Sequence, residues 1–194
     1  TVGCNLSCEW CQNFNMSKAR PEENDLAEIP PNEIINMCID KNCKIIAYTY
    51  NDPTIFYEYM MDIAKLARKN KIKNVLVSNG FINEKPLKEL CKYIDGANID
   101  LKSFNEKIYK RFCNCNLKDI LKSLKILKKN KVWLEITNLV IPEINDNKEE
   151  VEKMCKWIST NLGKDIPLHF SKFFPMYKMS DVEETPVPTL EGMR

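Results

Sequence analysis

The sequence predicts an α/β protein whose parallel strands build a partial, open barrel of about six strand–helix units. Three observations predict it. Short apolar runs alternate with amphipathic helical stretches along most of the chain, as parallel strands joined by right-handed crossovers do. Five such runs are visible, fewer than the eight a closed barrel requires. A cysteine-rich loop at residues 3–13 is expected to leave the end of a sixth strand upstream of Thr1. The alternative architecture is a doubly wound open sheet. In both, ligands gather where the carboxyl ends of the strands deliver their loops.

The elements follow in order. Lys18–Ile29 is polar and contains Pro21, so it reads as a connection without regular structure. Pro30-Pro31-Asn32 opens a helix through about Lys41. A strand over Lys44–Tyr50 is cut off by the turn signal Asn51-Asp52-Pro53. The unit then recurs: helix Ile55–Lys69, strand Asn74–Val77, turn Ser78-Asn79-Gly80, helix Lys85–Tyr93 and strand Ala97–Leu101. Helices Asn105–Phe112 and Leu117–Asn130, strand Val132–Val140, helix Lys148–Leu162 and strand Ile166–Phe170 complete the series. The unbroken apolar runs at Lys44–Tyr48 and Asn74–Val77 suit strands buried on both faces.

Most of the functional information sits in Gly3-Cys4-Asn5-Leu6-Ser7-Cys8-Glu9-Trp10-Cys11-Gln12-Asn13. Its cysteines are spaced C-x3-C-x2-C on a segment whose Gly3 and Asn5 tolerate tight-loop backbone angles. Soft thiolates select zinc, copper(I) or iron–sulfur clusters. Structural zinc takes four protein ligands, and no fourth Cys or His lies nearby in sequence, although a distant one could fold in. A four-iron cluster held by three cysteines leaves one iron open to bind something else.

The spacing, with Trp10 just before the third cysteine, resembles the signature of the radical S-adenosylmethionine (SAM) enzymes. The resemblance implies a partial (β/α)6 barrel and one [4Fe-4S] cluster on Cys4, Cys8 and Cys11. It implies SAM bound to the open iron and cleaved to methionine and a 5′-deoxyadenosyl radical that abstracts hydrogen from a substrate. It also implies an external electron donor of the flavodoxin or ferredoxin type.

The strand ends supply the other expected walls of a SAM pocket. Where the family usually reads Gly-Gly-Glu, this chain has Tyr50-Asn51-Asp52, so Asp52 is expected at the methionyl amino group, or else closes an ordinary Asx turn. Ser78, Asn79 and Gly80 offer polar groups and close backbone approach for ribose or carboxylate. Asp100 and Lys102 fall on one side of an extended backbone. They can pair with each other, while the family's Asp-Leu-Lys motif sets the lysine against the SAM carboxylate. Val140-Ile141-Pro142 resembles the apolar shelf for adenine, or is plain barrel core. Trp10 can stack on the other adenine face, and Asn13 closes the cysteine motif beside it. His169, the single histidine, is a candidate pocket group at the end of the last strand, against the common alternative of a hydrogen-bonded structural residue. Cys113 and Cys115 read as packing thiols or as ligands of an auxiliary metal.

The stretches Tyr48–Thr54, Val75–Gly80, Asn98–Lys102 and Leu139–Pro142 resemble most the radical SAM component of the AmmeMemoRadiSam system, a branch similar to pyruvate formate-lyase activating enzyme. That enzyme carries an acidic residue where this chain has Val77, so activation of a glycyl-radical partner does not follow. A protein substrate or partner is one expectation, and the substrate itself stays open. The competing function is an iron–sulfur or zinc module that does not cleave SAM.

Composition narrows the remaining classes. With 194 residues the chain is expected to form one domain over residues 1–194, trimmed at both ends. Lys and Arg total 29 against 27 acidic residues, which gives no footprint for nucleic acid or an anionic membrane. Nine cysteines without a signal peptide or a membrane-length apolar span read as reduced thiols in a cytoplasmic protein.

Overall fold

The computed structural model describes residues 1–24 and 27–193. Five strands form one sheet: β1 (Ile45–Tyr48), β2 (Lys73–Ser78), β3 (Gly96–Asp100), β4 (Trp133–Val140) and β5 (Leu168–Lys172). Their spatial order is their chain order and every neighbouring pair is parallel. An order that never turns back excludes the doubly wound alternative, which reverses at a switch point. Right-handed crossovers then carry the connecting helices to one face, and the sheet curls into a partial barrel.

The helices are α1 (Phe14–Ser17), α2 (Pro31–Asp40), α3 (Tyr57–Lys69), α4 (Glu84–Leu90), α5 (Glu106–Ile108), α6 (Leu117–Lys129), α7 (Lys148–Asn161) and α8 (Val187–Glu191). Local chemistry explains several ends. Pro31 opens α2 where its missing N–H costs nothing. The Asn147 side chain accepts the Glu149 and Glu150 N–H groups and caps α7.

The core lies between the helices and one face of the sheet. Met60 and Ala64 of α3, Leu90 of α4 and Ile120 and Leu124 of α6 join Leu76, Ile99 and Ile136 in one buried cluster. Burial alternates strictly along β4: Leu134, Ile136, Asn138 and Val140 are buried while Glu135, Thr137 and Leu139 are half-buried and Trp133 is exposed. β2 alternates in the same way. The expectation of strands buried on both faces is therefore corrected, because only the helix side is packed and the other side lines a concave interior.

Three further expectations change. The helix expected over Asn105–Phe112 is a single turn, α5, followed by a π-helical turn at Tyr109–Cys113 that ends at Asn114 with φ 56°. The wider turn directs both Tyr109 and Cys113 inward, and the Tyr109 hydroxyl accepts the Lys102 N–H at 2.9 Å. The connection after the cysteine loop contains a 3-10 turn at Pro21–Glu23, just after α1, and its residues 25 and 26 lie outside the described residues. β5 runs on to Lys172, which puts Ser171 inside the strand. Among the described residues no helix is long and apolar enough to cross a membrane.

Candidate functional site

The cysteine loop has almost no regular structure of its own and is fixed from outside. Gly3 takes φ +94°, and a Cβ there would come within 2.6 Å of Ile55 Cδ1. The Ser7 and Glu9 N–H groups donate to the Cys113 and Phe112 carbonyls at 3.1 and 3.2 Å, which ties the loop to the π-helical turn. The Asn5 amide donates to the Phe81 carbonyl at 2.6 Å, and Lys18 Nζ donates to the Leu6 carbonyl at 3.0 Å. Leu6, Cys8 and Trp10 are buried, so alternate side chains anchor the loop in the core.

This loop forms one wall of a cavity of about 280 Å³ at the carboxyl ends of the strands. Cys4, Cys8 and Cys11 all line it. Among the described residues no three Cys, His, Asp or Glu side chains stand close enough to share one metal ion. A hydrogen bond with Cys113 lowers the Cys8 pKa to about 7, whereas burial raises that of Cys4.

Asp52 reaches the cavity at the end of β1, yet its carboxylate is 4% exposed and already engaged. It accepts from Thr54 N at 3.0 Å, Thr54 Oγ1 at 2.7 Å, Ser78 Oγ at 3.0 Å and Asn79 N at 2.8 Å. Asp52 thus clamps the loop after β1 to the loop after β2. Ser78 lines the cavity with its hydroxyl given to that clamp. Asn79 also lines it, but its amide turns toward the cysteine loop, donating to Asn5 Oδ1 at 2.8 Å. Asn13 lines it as well and donates to the Tyr50 carbonyl at 2.8 Å. Tyr50 holds φ 77°, a left-handed conformation that costs strain in a residue with a Cβ.

On the opposite wall Asp100 and Lys102 meet at 3.0 Å. Burial favours loss of the Lys102 proton, but Asp100 and Cys8 outweigh it and raise its pKa well above the ordinary lysine value. A buried ammonium with one carboxylate partner keeps two N–H donors for an anionic ligand. Trp10 is 2% exposed, packs against Phe112 with ring centroids 5.6 Å apart, and borders the cavity. Its indole Nε1 is buried with no hydrogen-bond partner among the described residues. Such a donor ordinarily finds a partner.

Four expected pocket residues lie elsewhere. Val140 and Ile141 are fully buried in the core rather than lining the cavity, because strand alternation turns Leu139 to the concave side and Val140 to the helix side. Gly80 lies outside the cavity lining, and packing alone calls for a glycine there: its φ is +74°, and a Cβ would meet Ile99 Cγ2 at 2.8 Å. His169 is exposed and binds Glu135 Oε2 at 2.7 Å, away from the cavity lining. The sequence reading missed Ser17, Thr137 and Leu139 as lining residues. Alternation along β4 identifies the last two once the concave face is known, but no local signal marks Ser17.

The family model of the radical SAM superfamily matches residues 1–158. The chain belongs to the radical SAM superfamily. This radical SAM protein is 42% identical over 192 residues to an uncharacterized protein of Methanocaldococcus jannaschii, covering 99% of this chain and 57% of that one. The chain thus spans little more than half the length of that relative. It is 22% identical over 200 residues to the pyruvate formate-lyase-activating enzyme of Clostridium pasteurianum, covering 93% of this chain and 81% of that enzyme. Streptococcus suis SuiB, solved with bound S-adenosylmethionine, superposes with a TM-score of 0.74 at 13% identity over 96% of this chain and 42% of SuiB. That likeness concerns the radical SAM fold. Membership implies a [4Fe-4S] cluster and SAM. Three thiols and a charged lysine–aspartate pair on one cavity suit them.

Proposed function

We propose that this chain is the core of a radical SAM enzyme in which Cys4, Cys8 and Cys11 hold one [4Fe-4S] cluster beside a SAM molecule. The observation that carries the proposal is the convergence of the three thiols and the Lys102–Asp100 pair on a single cavity. When bound, the cluster supplies the electron that cleaves SAM reductively to methionine and a 5′-deoxyadenosyl radical, which takes hydrogen from the substrate. The residues bind and orient. Lys102, kept charged by Asp100, offers its ammonium to the SAM carboxylate. Trp10 offers its indole N–H to an acceptor on the ligand, and Thr137, Leu139 and Ser171 form the strand side of the binding surface. Buried side chains such as Leu6 keep water from the back of the loop.

A flavodoxin- or ferredoxin-type protein is the proposed electron donor. A protein or peptide is the proposed substrate class, supported by the similarity to an activating enzyme and by a SuiB structure with its precursor peptide. The stretch Tyr48–Thr54 supports placement in the AmmeMemoRadiSam branch. Anaerobic reconstitution with iron and sulfide, followed by dithionite and SAM, is expected to release 5′-deoxyadenosine and methionine in equal amounts. A chain with four irons bound that releases neither overturns the reading. One observation favours a second reading, a cluster protein that does not cleave SAM: the Asp52 carboxylate, at the place of the family's usual glutamate, is engaged internally. The same assay separates the two.

A further inference from the structure

Each motif cysteine has a buried polar neighbour from outside the C-x3-C-x2-C motif. Asn79 Nδ2 lies 3.7 Å from Cys4 Sγ. Ser17 Oγ lies 3.6 Å from Cys11 Sγ. The Cys113 thiol sits against Cys8, in the turn whose Cys113 carbonyl accepts the Ser7 N–H at 3.1 Å. Asn79, Ser17 and Cys113 are 6%, 7% and 0% exposed. They come from three separate places: the loop after β2, the last residue of α1 and the π-helical turn.

The direction of these bonds follows from the chemistry of ligation. A cysteine that binds metal does so as a thiolate and has no proton to give. The Ser17 hydroxyl and the Cys113 thiol then serve Cys11 and Cys8 as donors. The Asn79 amide is already oriented for donation, since its Oδ1 accepts the Phe81 N–H at 2.7 Å and its Nδ2 donates to Asn5 at 2.8 Å. A second Nδ2 hydrogen is left for Cys4. Hydrogen bonds to cluster sulfurs stabilise the more electron-rich, reduced state and so raise the reduction potential.

We propose that Asn79, Ser17 and Cys113 are positioning residues, one for each cluster thiolate, and that their hydrogen bonds set the potential at which the cluster accepts its electron. The proposal rests on the cluster reading above. It gives Asn79 a role at the cluster instead of at SAM, and Cys113 a role as a donor instead of an auxiliary ligand.

The test is an anaerobic redox titration of the reconstituted chain followed by electron paramagnetic resonance. Ser17→Ala and Cys113→Ala are each expected to lower the midpoint potential, and the double variant to lower it further, with the iron content unchanged. Ser17→Thr and Cys113→Ser, which keep a donor, are expected to hold the wild-type midpoint. Unchanged midpoints in both alanine variants overturn the proposal, as do equal shifts in the conservative ones. If the alanine variants do not load iron, wild type in H2O and D2O decides by electron–nuclear double resonance. Exchangeable proton couplings at the cluster support the proposal, and their absence overturns it. Failure of wild type to take up a cluster instead defeats the reading under Proposed function.

Discussion

The two walls of the cavity are built on different principles. The strand wall, with Asp100, Thr137, Leu139 and Ser171, is shaped by parallel ladders whose alternation assigns each side chain to a face. The loop wall, residues 3–13, has no ladder and takes its shape from partners far away in sequence: Phe81, Phe112 and Cys113. A local pattern therefore sets one wall, and a set of long-range hydrogen bonds sets the other. Substitutions that leave packing intact should damage the loop wall far more than the strand wall.

The strongest way to break this comparison is Asp52→Ala. It leaves the buried Ser78 hydroxyl and Asn79 N–H without their acceptor, and unsatisfied buried groups cost about 1–3 kcal/mol each. Urea unfolding is expected to show a loss of about 3 kcal/mol, with poorer iron uptake at temperatures where the chain is still folded. A loss below about 0.5 kcal/mol, the size typical of a surface change, would mean that the clamp does not hold the wall.

Trp10→Phe sharpens the comparison, because it keeps an aromatic ring against Phe112 while removing the indole's second ring with its unpartnered N–H. Unfolding stability is expected to fall by about 1 kcal/mol, as for a modest large-to-small change in a core. Affinity of the reconstituted chain for SAM, measured by calorimetry, is expected to fall about five- to tenfold, the worth of one hydrogen bond. Equal affinity would make Trp10 a core residue and nothing more.

Glu135→Gln is the smallest change and probes the concave face outside the cavity lining. The Trp133 indole at 3.0 Å and His169 at 2.7 Å hold the Glu135 carboxyl below the ordinary glutamate value. A carboxylate with a depressed folded pKa contributes stability above its unfolded pKa of about 4.3 and loses it as pH falls through the folded value. Wild type should therefore exceed Glu135→Gln slightly at neutral pH, and the gap should close in acid. SAM binding should be equal in both, and a changed SAM affinity would extend the site to His169.

Legibility in the sequence follows the same division. The strands and most helices could be placed because apolar periodicity is local, and the strand ends carry Asp52, Asp100 and Lys102, which line the cavity. The C-x3-C-x2-C spacing put three thiols on one short loop. Val140 was misplaced by one step of alternation, since a strand's apolar run does not say which face meets the helices, and Ile141 lies beyond the strand's end, buried in the core. His169 stood out as the single histidine, but the sequence could not show that Glu135 on the neighbouring strand lies within its reach.

By itself, then, the sequence determined the alternating architecture, the cysteine loop and the carboxyl-end location of the site, because periodicity and motif spacing are written in neighbouring residues. Only the tertiary structure decided that Asp52 is a clamp, that Gly80 answers to Ile99, and that Asn79, Ser17 and Cys113 stand one beside each thiol. Those roles depend on contacts between residues brought together by the crossovers and by a π-helical turn, and no short stretch of the chain encodes them alone.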